Sequence, residues 1–210
     1  MARPRLADID PAQPATGERL LVEAEKLFAA HGFAGVSLRD IGKAAALSNA
    51  ALLHYYPSKE KLYRAVLDRV AADMEAAVAP ALRSAAQPVA RLEALFEAFA
   101  DWLEGKPDRA RLVMRELTEN VERVATARHF VMTRLIDGMS QIVLDGQRAG
   151  VFRRCDAPLF VFHMIGSLSY FANGLPTIAG IVGRKPDALW QAHRRQTLAH
   201  LRRALLQEQD

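Results

Sequence analysis

The chain has 210 residues, of which half are hydrophobic and a quarter are charged, and its formal net charge is +4. This composition excludes a disordered chain, because it supplies enough apolar surface to bury a core. The mild basic excess permits nucleic-acid binding without requiring it. The single cysteine, Cys155, excludes an intramolecular disulfide.

The N-terminal segment, residues 1–14, is polar and contains three prolines, so it does not have the apolar core of a signal peptide. The longest apolar tract, residues 159–170, is interrupted by His163 and by small polar residues, and it is shorter than a membrane helix requires. We therefore expect a soluble, cytoplasmic protein with no membrane segment.

Serine and threonine caps, together with glycine and proline stops, predict four helices in the N-terminal third of the chain. The predicted ranges are 16–31, 37–45, 49–55 and 58–79, the last one ending before Pro80. Five further helices are predicted at 88–104, 107–120, 121–149, 156–174 and from 186 almost to the C-terminus. Strand-like alternation is scarce. The expected fold class is all-α, with about nine helices.

The three short helices within residues 16–55 form a helix-turn-helix pattern. Ile41, Ala45, Leu47 and Leu52 are spaced to brace the third helix from behind. Asn49, Ala50, Ala51 and His54 would face outward, where an asparagine can pair with adenine and small residues allow close approach to bases. Ser37, Tyr55 and Lys59 are candidates for phosphate contacts.

The stretch from Gly32 to Ile41, followed by residues 45–48 and by His54-Tyr55-Tyr56-Pro57-Ser58-Lys59-Glu60-Lys61-Leu62, resembles the N-terminal domain of TetR-family regulators. The resemblance implies a homodimer, a double-stranded DNA operator with two half-sites, and release by a small-molecule effector. It carries Ser37, Tyr55 and Lys59 over as phosphate contacts, and it places Asn49, Ala50, Ala51 and His54 toward the bases.

The chain departs from the family pattern at two positions. Ala46 stands where the family usually has a glycine in the turn, and alanine can adopt the strained geometry there at a cost of about 1 kcal/mol. Leu53 stands where the family usually has a tyrosine that touches a phosphate, so that contact is absent or is supplied by another residue.

The expected organisation is a flexible arm at 1–15, a helix-turn-helix domain at 16–62 and a helical ligand-binding and dimerisation domain at 63–210. Arg3 and Arg5 in the arm either enter a minor groove or belong to a solvated tail. The last two helices are expected to form the dimer interface. Its predicted residues are Phe160, Met164, Leu168 and Phe171 on one helix and Leu189, Trp190, Leu198, Leu201 and Leu205 on the other.

Aromatic and methionine side chains gather in the body helices, where they belong either to the core or to an apolar ligand pocket. The predicted pocket residues are Phe99, Trp102, Met114, Leu117, Phe130, Phe162 and His163. We find no spacing typical of a metal site, no phosphate-binding loop and no nucleophile motif, so we expect neither a cofactor nor an enzyme. A helix-turn-helix repressor or activator that senses no ligand remains the alternative.

Overall fold

The computed structural model describes residues 13–119 and 132–206. Arg3 and Arg5 of the predicted arm, Phe130 of the predicted pocket and residues 121–131 of the helix predicted at 121–149 lie outside the described residues. The part of the chain that the structure describes forms nine α-helices and no β-strand, which confirms the predicted all-α class. The helices are α1 Gln13–His31, α2 Leu38–Ala44, α3 Asn49–Tyr55, α4 Lys59–Arg83, α5 Pro88–Gly105, α6 Pro107–Glu119, α7 Met132–Arg148, α8 Ala157–Val182 and α9 Pro186–Leu205.

The chain divides into two compact units, residues 1–69 and 70–210, with α4 contributing its first half to one unit and its second half to the other. In the first unit, Phe28 and Tyr63 are buried and meet edge to face at 4.9 Å between ring centroids, with Phe33 packed against both. Ile41 and Leu52 are fully buried, so α2 and α3 lie on one small apolar core.

The second unit is built from the end of α4 and from α5 to α9. Proline at the first or second position starts α5, α8 and α9, where its missing N–H removes no helical hydrogen bond. The core of this unit includes Phe96, Phe152 and Trp190, each at most 2% exposed. Gly146 lies directly against Phe152, and a Cβ atom there would stand 1.9 Å from its ring.

The predicted end of the fourth helix was wrong, because α4 continues through Pro80 to Arg83. A proline inside a helix removes one backbone hydrogen bond and crowds the preceding turn. The turn around Pro80 is nevertheless held in place, since Ala79 and Ala81 are buried and the guanidinium of Arg91 donates to the carbonyl of Leu82 at 3.1 Å.

The predicted end of the eighth helix near Gly174 was also wrong. α8 runs through Pro176 to Val182 and ends at Gly183, which has φ 64° and provides the left-handed cap. The helix packs against α5, α6, α7 and α9, so tertiary contacts stabilise it past the proline. Within the described residues it is the one helix long and apolar enough to cross a bilayer, but length and composition alone do not make a membrane helix of one that packs on four others.

Candidate nucleic-acid interface and ligand cavity

The short helix α3 is held by its ends and by one buried side chain. The hydroxyl of Ser48 accepts a hydrogen bond from the amide of Ala51 at 3.2 Å and caps the N-terminus. Leu52 is fully buried, whereas Asn49, Ala50 and His54 are exposed and Ala51 is half-buried. The structure therefore places the four predicted base-facing residues on the outer side of a helix that is anchored from within.

The turn before α3 contains Ala46 with φ 53°, the one positive-φ residue other than glycine among the described residues. The amide of Ala46 donates to the carbonyl of Lys43 at 3.2 Å, and the amide of Leu47 donates to the carbonyl of Gly42 at 2.8 Å. The alanine thus adopts the left-handed geometry that usually selects glycine, with the backbone hydrogen bonds of the turn in place.

Ser37 forms a reciprocal cap with Asp40 at the start of α2. Its hydroxyl donates to the Asp40 carboxylate at 2.5 Å and accepts from the Asp40 amide at 3.2 Å, while its own amide donates to the same carboxylate at 3.0 Å. These hydrogen bonds, from the Ser37 side chain first and then from its backbone, lower the pKa of Asp40. The hydroxyl that was assigned to a DNA phosphate is therefore engaged in capping in the free protein.

Lys59 and Tyr55 lie on the half-buried rim of the first unit. The ammonium of Lys59 stands 4.2 Å from the centroid of the Phe33 ring, a distance at which a cation–π interaction holds the lysine in place. The rings of Tyr55 and His54 are in T-shaped contact, with 5.9 Å between their centroids, and the Tyr55 ring lies beside Gly17 of α1.

Sequence reasoning missed two cations on α2. Arg39 and Lys43 are both exposed, and together with Asn49 they line a surface groove of about 680 Å³. The signal was available, because residues four apart share one face of a helix and this pair lies away from the buried Ile41. The groove, which Asp40 also lines, brings two positive charges beside the first residue of α3.

A cavity of about 480 Å³ lies in the second unit. Each of four helices contributes residues three, four or seven apart, so each offers one face to the cavity. The lining residues are Met74 of α4, Phe99, Trp102 and Leu103 of α5, Ala110, Val113, Met114 and Leu117 of α6, Thr133, Ile136 and Asp137 of α7, and Phe162, Ile165, Gly166 and Ser169 of α8. The lining is almost wholly apolar, as in most small-molecule sites.

Trp102 is oriented in the cavity wall by a partly buried polar network. Its indole N–H donates to the carboxylate of Asp73 at 2.7 Å, and Lys106 and Arg109 pair with the same carboxylate at 2.5 and 2.8 Å. Burial opposes ionisation of Asp73, but these three donors outweigh it and lower its pKa to about 2. The network thus ties α5 and α6 to α4 beside the cavity.

Five of the seven predicted pocket residues line this cavity, namely Phe99, Trp102, Met114, Leu117 and Phe162. Phe130 lies outside the described residues. His163 does not belong to the cavity, because one residue beyond Phe162 the side chain is turned by about 100° around the helix. It lines a separate groove between α8 and α9, which also includes Cys155 and His200.

The thiol of Cys155 is exposed and accepts a hydrogen bond from the amide nitrogen of Gln147 at 3.3 Å. Partial burial, followed by the neighbouring charge of Asp156, raises its pKa, and the Gln147 hydrogen bond only partly offsets this. A reactive thiolate needs the opposite shift. Among the described residues no group of three histidine, cysteine or acidic side chains could hold a metal ion.

Comparison with known protein families matches both parts of the chain. The family described as "Bacterial regulatory proteins, tetR family" matches residues 20–66, and "Tetracyclin repressor-like, C-terminal domain" matches residues 88–201, which is more than half of the chain. The chain belongs to the TetR family. It is therefore a DNA-binding transcriptional regulator rather than an enzyme.

Individual relatives of this TetR-family regulator agree with that conclusion. It is 29% identical to the transcriptional repressor NicS of Pseudomonas putida over 75% of this chain and 76% of NicS. It is 26% identical to the transcriptional regulator RutR of Escherichia coli over 82% of this chain and 81% of RutR. The ketosteroid transcriptional regulator KstR2 of Mycobacterium tuberculosis shares its fold, with a TM-score of 0.71 and 20% identity over 97% of this chain and all of KstR2.

Proposed function

We propose that this TetR-family regulator is a repressor that leaves its DNA operator when a small, largely apolar molecule enters the cavity of the second unit. The observation that carries the proposal is Met74. This side chain lines the cavity, and it belongs to the same continuous helix, α4, that begins at Lys59 in the first unit. A cavity wall and a phosphate-contacting residue thus share one helix.

For the DNA contacts, we assign base readout to the exposed N-terminal face of α3, with Asn49 paired to adenine. Ala50, Ala51 and His54 lie toward the neighbouring bases. Tyr55 and Lys59 contact phosphates, and Arg39 and Lys43 add two phosphate or base contacts from the groove beside Asn49. Ser37 contacts a phosphate by releasing Asp40, since both its hydroxyl and its backbone amide are engaged with that carboxylate in the cap.

For the dimer, we assign the exposed stripe of α8 to the interface with a second copy. Leu159, Tyr170 and Ile181 are 66, 72 and 79% exposed and, with exposed His163 between the first two, follow the helical repeat. Six of the nine interface residues predicted from sequence are buried within the protomer, which leaves the neighbouring exposed face of α8 for the interface. The six are Met164, Leu168, Leu189, Trp190, Leu201 and Leu205. Two copies of this stripe can pair about a two-fold axis, so that the same face of α8 from each copy forms the interface.

For the mechanism, the dimer has two states that differ in the separation of its two α3 helices. The DNA-binding state matches successive major grooves, about 34–36 Å apart on B-DNA. The effector binds the other state better and shifts the population toward it. Because α4 is continuous, displacement of Met74 by the effector would be transmitted along that helix, and displacement of Trp102 would reach it through the hydrogen bond to Asp73. The cytoplasm, where the operator lies, is the expected location.

The alternative is a repressor or activator that senses no ligand. NicS is named a transcriptional repressor, and the similarity to NicS favours repression over activation for the present protein. The size of the cavity and its apolar lining favour a sensing role over a cavity that stays empty.

The first test is a gel shift of the purified protein on the DNA that flanks its own gene, at two salt concentrations and with unrelated competitor DNA. We expect a discrete complex that resists the competitor and weakens with salt. Lys59→Ala should weaken binding to all sequences alike and flatten the salt slope by about one unit. Lys61→Ala is the matched control, because this exposed lysine lies about 200° around α4 from Lys59.

A loss of affinity for only some sequences in Lys59→Ala would contradict its assignment to a phosphate. Equal loss in Lys61→Ala would show that overall charge, and not the position of Lys59, is responsible. Failure to form any competitor-resistant complex with flanking or genomic DNA would contradict the assignment of α3 as the reading helix.

The second test addresses release, with decan-1-ol as an apolar probe of the cavity. Gly166 lines the cavity, and a Cβ atom there would meet nothing within 4 Å, so Gly166→Leu narrows the cavity without a backbone clash. We expect decan-1-ol to release the wild-type protein from DNA and Gly166→Leu to resist release. Gly180→Leu is the control, because Gly180 is an equally open α8 position outside the cavity. Equal release of both variants would contradict the cavity as the effector site.

The third test addresses the dimer by analytical ultracentrifugation. Tyr170→Arg places a charge in the centre of the exposed α8 stripe and should shift the protein from dimer to monomer. Leu144→Arg, at a 38% exposed position on α7, is the control and should leave the mass unchanged. A dimer that survives Tyr170→Arg with the same dissociation constant would place the interface elsewhere.

A further inference from the structure

The cavity of the second unit has one ionisable side chain among its described lining residues, the carboxylate of Asp137. No described lining residue is cationic. Asp137 is exposed, and it forms no ion pair or hydrogen bond with any described residue, in contrast with the fully paired Asp73 beside Trp102. A carboxylate with no described partner, in a lining whose other polar side chains are the hydroxyls of Thr133 and Ser169, is the charged group that would orient a ligand.

The described lining residues of the cavity differ in exposure, and the one charged residue among them is exposed. Phe99, Trp102 and Leu103 are at most 4% exposed, so the walls from α5 are buried and apolar. Asp137 and Phe162 are exposed members of the same lining, on α7 and α8. A ligand would therefore bury an apolar body among the α5 side chains and leave its polar end on the side of Asp137.

We propose that the effector is an amphiphilic cation, with an apolar body and an ammonium group that pairs with Asp137. This inference rests on the proposed function, because it names the ligand class of the same cavity. The ring of Phe162 adds an aromatic face for a quaternary ammonium, which aromatic side chains recognise through their quadrupole. An anion of the same size would meet the Asp137 carboxylate with like charge, and a neutral ligand would leave it unpaired.

The test compares three probes with the same ten-carbon chain, decyltrimethylammonium, decan-1-ol and decanoate, by isothermal titration calorimetry of the full-length protein. The two ionic probes are kept below their micelle concentrations, and decan-1-ol is kept below its solubility limit. Because Asp137 is exposed, its pairing energy is modest, and we expect the cation to bind about fivefold tighter than decan-1-ol. Decanoate should bind more weakly than decan-1-ol, since the same charge repels it.

Asp137→Asn removes the charge and keeps the shape. We expect it to abolish the preference for the cation while leaving the affinity for decan-1-ol unchanged. Asp68→Asn is the matched control, because Asp68 is an exposed aspartate of α4 in the first unit and does not line the cavity. It should keep the wild-type preference.

Tightest binding of decanoate, equal binding of the three probes, or a cation preference that survives Asp137→Asn would each overturn the inference. In those cases, release of the DNA by decan-1-ol and its loss in Gly166→Leu would still support the proposed function. If none of the three probes binds, both the amphiphilic cation and the effector role of the cavity are wrong, while the gel shift separately tests DNA binding.

Discussion

Ala46→Gly should stabilise the first unit, although it removes a methyl group and adds flexibility. Ala46 has φ 53°, a region that costs an L-residue about 1–2 kcal/mol. Glycine relieves that cost but gains about 0.4–1 kcal/mol of entropy in the unfolded chain. Ala46 is exposed, so no buried contact is lost. The net expectation is a gain of about 0.5–1 kcal/mol in the free energy of unfolding of this unit.

Native-state hydrogen exchange is the suitable assay, because Trp102 and Trp190 both lie in the second unit and their fluorescence does not report on the first. The amide of Leu52, bonded to the carbonyl of Ser48 at 3.0 Å, should exchange about two- to fivefold more slowly in Ala46→Gly. Ala44→Gly makes the same chemical change at an exposed position in α2 and should exchange faster. Faster exchange in both variants would refute the claim of strain at Ala46.

Two further predictions concern the second unit. Gly146→Ala should lower the free energy of unfolding of this unit by about 2 kcal/mol, measured by urea denaturation, because the new Cβ would stand 1.9 Å from the ring of buried Phe152. The control Gly180→Ala, at an open helical position, should raise it by up to about 1 kcal/mol. Ionised Asp73, with its pKa lowered to about 2, should contribute about 1–2 kcal/mol above pH 4 that is lost as the pH falls toward 2. Asp73→Asn should therefore be less stable at pH 7 and lose less stability on acidification; a parallel pH profile would contradict the pairing.

The helices of the first unit could be predicted closely, because the residues that start and end them act locally. Ser48 caps α3, Pro57 follows it, and both act on neighbouring backbone groups, so α3 has the predicted bounds of Asn49–Tyr55. The strain at Ala46 could be predicted from one position in one turn. Arg39 and Lys43 could also have been predicted as DNA contacts, since the helical repeat puts them on one exposed face of α2 beside Asn49.

For the second unit, the number of helices could be predicted, but two helix ends and the faces that the helices bury could not. Local rules ended the fourth and eighth helices before Pro80 and at Gly174, yet burial of the flanking residues and packing on four helices extend them. These extensions depend on tertiary contacts that no short window of sequence contains.

The helix α8 shows why the cavity residues were easier to infer than the dimer stripe. Apolar side chains occupy most positions around this helix, so the helical periodicity is consistent with several different interface stripes. Phe162 faces the cavity, Met164 and Leu168 face the protomer core, and Leu159 and Tyr170 face outward. One residue corresponds to about 100° of rotation, so an error of one position exchanges these environments. Tyr170→Arg and Gly166→Leu sample two of the three faces, and their separate effects on assembly and on release test this division of the helix.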